Sequence, residues 1–136
     1  MNTQSRVKAG FTLIELLFII VILVVAGIIF FVQRNNVLNA SYDTTRKTAI
    51  NAMFYSLEEA YYPTHNGYPT TISPSVLPTV DPDLFTDPSG TAFGDPDSDY
   101  TYKGLNCSGD LCQAYTLTAK MTSEADYTKS SRHGGN

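Results

Sequence analysis

Apolar and polar positions divide the chain into stretches of different period. Residues 16–32 carry no charge and no proline, and residues 11–14 extend the apolar run toward the N-terminus. About 20 such residues cross a bilayer core as a helix, so this stretch predicts a membrane-spanning helix. Further on, Ile50, Met53, Phe54, Leu57, Ala60 and Tyr61 recur at three- and four-residue steps and line one helix face. Arg46, Lys47, Asn51, Ser56, Glu58 and Glu59 are assigned to the opposite, solvated face. The two patterns join into one long helix over residues 11–62, about 78 Å if continuous at 1.5 Å per residue. Pro63 disfavours helix at Tyr62, and Asn66-Gly67 supplies the turn that follows. No proline interrupts the helix, so any bend is expected at Gly27 or in the Asn-rich residues 33–41.

Beyond the helix the punctuation is dense. Pro69, Pro74, Pro78, Pro82, Pro88 and Pro96, with Gly90 and Gly94, predict turns and irregular loop with one short strand. This segment is expected to dock on the helix through Ile72, Val76, Leu77, Leu84 and Phe85. Residues 100–103 and 114–120 are rich in β-branched and aromatic residues and predict two strands around a turn carrying Cys107 and Cys112. In the second strand Tyr115, Leu117 and Ala119 share one face, and Thr116, Thr118 and Lys120 the other. Residues 129–136 are expected to be a flexible tail.

At 136 residues there is room for one anchor and one small domain. Nine bases and thirteen acids give −4; loss of residues 1–10 would remove Arg6 and Lys8 and no acid, leaving −6. Such a surface argues against nucleic-acid binding through bulk charge, which needs clustered Lys and Arg. Basic residues ahead of the apolar run keep that end cytoplasmic and place the rest outside, where disulfides persist. Cys107 and Cys112, with four residues between them and far from His65 and His133, are then expected to form a short structural disulfide rather than a zinc or redox site. No catalytic constellation emerges, so the chain is not expected to be an enzyme. Asp95, Asp97 and Asp99 match the first three ligand positions of a calcium loop. The match then fails, with Tyr100 where the sharp-turn Gly belongs and Asn106 where the bidentate Glu belongs. A solvated acidic loop is therefore the expectation, with calcium the minor alternative and no other cofactor.

One charge remains to be explained. Glu15 lies inside the apolar run, where an isolated acid is costly and has a partner or a function. A secretory signal peptide has an apolar region of only ~7–15 residues, and a plain signal anchor leaves Glu15 without a role. With a short basic leader, Gly10-Phe11-Thr12-Leu13-Ile14-Glu15 closely resembles the processing and methylation site of type IV prepilins and the related pseudopilins. The order of later segments is also similar: Leu57-Glu58-Glu59-Ala60-Tyr61-Tyr62, then Asn66-Gly67-Tyr68-Pro69, an Asp-Pro-rich loop and two Tyr-rich strands.

The resemblance implies an α+β, ladle-shaped pilin fold: a long helix, transmembrane in its first half and amphipathic in its second, packed on a small antiparallel β-sheet. Residues 1–10 would be the leader, 11–35 the transmembrane and assembly helix, and 36–136 the globular domain with the outer half of the helix. A prepilin peptidase would cut after Gly10 and methylate the new Phe11 amine, and Glu15 would pair with the Phe11 amine of a neighbouring copy. The implied product is a structural subunit of a type IV pilus serving adhesion, motility or DNA uptake. It would sit as a single-pass protein in the cytoplasmic membrane and then join an extracellular filament of its own copies, helped by an inner-membrane platform and a separate ATPase motor. The alternatives are a pseudopilin of a type II secretion system and, in another class, a membrane-anchored binding or enzymatic domain.

Overall fold

Residues 10–134 are described, in a computed structural model. The chain divides into two units between Val37 and Leu38, and each is described by itself. The first holds Gly10, Phe11 and Thr12 and the start of helix α1 (Leu13–Tyr55). Its apolar side chains are exposed throughout, from Leu13 at 83% to Ile19 at 39%. This helix is long and apolar enough to cross a membrane, and none of its apolar window is buried in the protein.

The second unit is an α+β domain. Helix α1 continues into a π-helical turn (Ser56–Tyr61) and a last helical turn, α2 (Tyr62–His65). The helical run therefore passes Pro63 rather than ending before it. In the π turn the Tyr62 N–H donates to the Leu57 carbonyl, five residues back. That wider register shifts the carbonyls that a proline ring would strike in a regular α-helix, so Pro63 fits in the first turn of α2. The stop comes at Asn66, whose left-handed backbone (φ 54°) caps the helix.

Four strands follow: β1 (Tyr68–Pro69), β2 (Tyr100–Ser108), β3 (Leu111–Ala119) and β4 (Tyr127–Ser130). All pairings are antiparallel. β2 covers one edge of β3 along its length, while β1 pairs at Cys112 and Leu111 and β4 at residues 116–119. β1 and β4 therefore share the other edge of β3. The hairpin strands are longer than expected, so Cys107 and Cys112 lie opposite each other within the ladder, and the loop is only Gly109-Asp110. Gly109 (φ 64°) takes the left-handed first position that such a two-residue loop requires.

Residues 129–134 of the expected tail are also ordered, through β4 and the residues after it, and 135 and 136 lie outside the described residues. The Ser131 N–H donates to the Tyr115 carbonyl, and His133 stacks on Tyr62 at 4.3 Å. A four-residue edge strand carrying Lys and Ser is a weak pattern, which is why it reads as tail in the sequence.

Between helix and sheet lies one core. Ile50, Met53 and Leu57 from the helix meet Tyr115, Leu117 and Ala119 from β3, and all six are fully buried. The proline-rich segment contributes Ile72, Leu77, Val80 and Phe85, with Val76 and Leu84 packed beside them. Apart from β1, its regular structure is a 3-10 turn (Pro82–Phe85) whose start is capped by Asp81.

Candidate functional site

At the N-terminal end, Gly10 and Phe11 precede the helix and are exposed, Phe11 at 73%. A Cβ at Gly10 would meet nothing within 4 Å. The helix begins two residues later than its apolar pattern suggests because Thr12 caps it. The Thr12 carbonyl accepts from the Glu15 and Leu16 N–H groups at 3.1 Å, and its Oγ1 accepts from the Glu15 N–H at 3.4 Å. Thr12-Leu13-Ile14-Glu15 thus follows the Ser/Thr-x-x-Glu spacing of a capping box. Glu15 lies in the first turn, where the helix dipole favours a negative charge. No ion pair among the described residues involves it. The leader residues Arg6 and Lys8 lie outside the described residues.

Two buried carboxylate clusters join the elements of the second unit, and both correct the expected solvated face of the helix. Arg46, Ser56 and Glu58 are buried there, while Glu59 is exposed. In the first cluster, Asp43 Oδ1 accepts from the Thr122 N–H (2.8 Å) and Arg46 Nη1 (2.9 Å), and Asp43 Oδ2 from the Ser123 N–H (2.7 Å). Arg46 also donates to Asp99 Oδ2 at 2.6 Å and Thr122 Oγ1 at 3.0 Å. Burial by itself would raise the Asp43 pKa, but the donors of Thr122, Ser123 and Arg46 outweigh it and hold the carboxyl below its ordinary value. Tyr100, beside this cluster, is pushed up to about 12, by burial first and then by the charge of Asp87.

The second cluster centres on Glu58, in the π turn. Its carboxylate accepts from Tyr115 OH (2.9 Å), Tyr68 OH (3.0 Å) and the Arg132 N–H (3.1 Å). Burial, reinforced by Glu58, drives both tyrosine hydroxyls well above their usual range. They therefore stay protonated at neutral pH and act as fixed donors. Satisfied in this way, the cluster ties the helix to β1, β3 and the segment after β4. Ser56 is satisfied separately, by a 2.6 Å hydrogen bond with Thr79 in the proline-rich segment.

The register was available in the sequence even though the burial was not. Asp43 and Arg46 stand seven and four residues before Ile50, and Glu58 four after Phe54, so all three continue the apolar stripe. Their charge, not their position, put Arg46 and Glu58 on the wrong face.

Cys107 and Cys112 form a disulfide across the β2–β3 ladder. Gly104 lies beneath it, since a Cβ there would run into both sulfurs. Asp95, Asp97 and Asp99 do not converge. Asp95 and Asp97 are exposed on turns and Asp99 is paired with Arg46; among the described residues no three of His, Cys, Asp or Glu could hold a metal ion. His65 stacks on Tyr61 at 4.0 Å beside a groove of about 410 Å³. Three of the groove's hydroxyls are already used within the protein, Ser56 with Thr79 and Thr64 with the Ala60 and Tyr61 carbonyls.

No family model, curated protein or solved structure matches the chain.

Proposed function

We propose that this chain is a structural subunit of a type IV pilus, made as a prepilin, cut after Gly10 and assembled through its N-terminal helix. The observation that carries the reading is Glu15, one turn into an exposed apolar helix and five residues after Gly10. Several features support it. The bond between Gly10 and Phe11 lies in exposed, non-helical chain, where a protease can reach it. The apolar helix suits a bilayer before assembly and a bundle of like helices afterwards. The α+β domain, held by a disulfide and buried carboxylates, suits a folded outward part.

In this reading the chain is the substrate of the peptidase and methyltransferase and does no catalysis itself. Cleavage creates a cationic amine at Phe11. Pairing that amine with Glu15 of a neighbour would set axial register in a filament. Mass spectrometry of processed protein and electron microscopy of sheared surface fibres test the proposal together. The expected result is fibres whose subunits begin at methylated Phe11; subunits beginning at Met1 within fibres would defeat it.

A further inference from the structure

Basic residues are absent from a long interval of the second unit. Between Lys47 and Lys103 there is no Lys or Arg, and all six acids at residues 81–99 fall in this interval. Two of those six are tied into the buried part of the domain. Asp87 is buried, accepting from the Ser89, Thr91 and Asp99 N–H groups, and Asp99 pairs with Arg46. The other four form two exposed Asp-Pro-Asp triplets, Asp81-Pro82-Asp83 and Asp95-Pro96-Asp97.

The opposite chemistry gathers where β4 meets α1. Lys129 Nζ stands 5.2 Å from the Phe54 ring and 5.5 Å from the Tyr127 ring. The Arg132 guanidinium lies 5.1 Å over Phe54 and 5.6 Å over Tyr55, and Lys47 Nζ lies 5.8 Å over Tyr127. Lys47 pairs with Glu124 and Arg132 with Glu59, while no salt bridge among the described residues involves Lys129. Tyr55 keeps half its surface exposed. Cations held over aromatic faces offer charge to a carboxylate and a flat apolar surface to a proline ring, the two things an Asp-Pro-Asp triplet presents.

We propose that this Lys47, Tyr55, Tyr127, Lys129 and Arg132 surface is the docking face for the Asp-Pro-Asp segments of a second copy of the chain. The topology supports a contact between copies that repeats. The face lies at the β4 edge of β3, whereas the second triplet leads into β2 on the other edge. Two different surfaces on opposite edges make a head-to-tail contact, and such contacts propagate rather than close into a pair. The inference rests on the filament reading and adds to it a contact outside the N-terminal helix.

Carbodiimide treatment of intact cells tests it on the full chain. Two co-expressed copies carrying different epitope tags allow bonds between copies to be told from bonds within one. The expected product joins Lys129 of one copy to an Asp of residues 81–97 of the other, identified by mass spectrometry. The Lys47–Glu124 pair, at 2.7 Å within one chain, serves as the internal control. Measured relative to the Lys47–Glu124 product, whose partners are exposed too but stay within one chain, the intercopy product should fall about fivefold in high salt, because screening also separates the copies. Recovery of the internal product without any Lys129–Asp bond between copies overturns the docking face, whether or not fibres form. The filament reading is judged separately, by the presence of fibres.

Discussion

Replacing Arg46 by Met keeps an unbranched apolar stem and removes only the guanidinium. The charge it carries holds together three parts of the fold: the helix at Asp43, the start of β2 at Asp99 and the segment after β3 at Thr122. Removing one partner of a buried ion pair costs ~3–5 kcal/mol, because the other charge is left without compensation. The low end applies here, about 3 kcal/mol. Asp99 is 22% exposed and can recover water, and Asp43 keeps two backbone donors. The assay is denaturant unfolding of the full chain in detergent, followed by near-ultraviolet signals of its nine tyrosines, with no tryptophan to interfere. A shifted midpoint at constant slope gives the cost. Acid adds a second reading. Because the folded Asp43 carboxyl is held low, its stabilisation is complete above the unfolded value near 3.8 and is lost as pH falls through the folded value. Without Arg46 that value moves back up, so the variant should lose less additional stability below about pH 4. A cost under ~1 kcal/mol, the range of an exposed pair, together with an unchanged acid profile would refute the reasoning.

Three further outcomes follow from the N-terminal helix and the sheet. Gly10→Glu puts a bulky charge at the proposed scissile bond, so membrane fractions should contain the full-length chain by mass spectrometry where wild type begins at Phe11. Glu15→Val should leave insertion and cleavage intact, because the segment becomes more apolar, yet lower the ratio of sheared fibre to processed subunit sharply; an unchanged ratio would remove Glu15 from assembly. Gly104→Ala should destabilise by ~1–3 kcal/mol through overpacking against the disulfide. Replacing Cys107 and Cys112 by Ala in the same chain should recover part of that loss, and strictly additive costs would show that Gly104 and the sulfurs do not interact.

How much the sequence disclosed depended on whether a residue's chemistry agreed with its position. Ile50, Met53 and Leu57 on the helix and Tyr115, Leu117 and Ala119 on β3 are apolar at the right period, and the sequence placed both faces correctly. Asp43, Arg46 and Glu58 fit the same helical period, but only tertiary partners make their burial tolerable. Those partners come from residues up to 80 positions away, such as the Ser123 N–H on Asp43. The passage of the helix through Pro63 depends on a π turn, which has no simple composition signal. β4 was hidden because its four residues are stabilised by β3 rather than by their own pattern. The candidate site divides in the same way: Gly10, Phe11 and Glu15 are legible as a linear string, while the cationic face is assembled from two separate stretches of chain.

The capping geometry changes what the N-terminal string implies. A charge in an apolar helix usually points to a partner elsewhere, yet Glu15 already has a local reason to be where it is. It occupies the first turn of α1, close to the Thr12 cap, where unsatisfied N–H groups give the helix end a partial positive charge of roughly half an elementary unit. That local effect amounts to ~0.3–1 kcal/mol when exposed, less than the ~2.5–3.5 kcal/mol for placing an acid at a membrane helix centre. Near the helix end the second figure shrinks, so capping can hold Glu15 in place without a partner. It cannot make Glu15 necessary for assembly, because an exposed cap works equally well in a single chain. In the proposed filament a full cationic amine from a neighbour would add a whole charge in a low-dielectric setting, where pairing is stronger than in water. The two roles therefore act in sequence. The cap sets the backbone position of Glu15 at the start of α1 in each separate chain, and the proposed amine contact would give its carboxylate a use between chains.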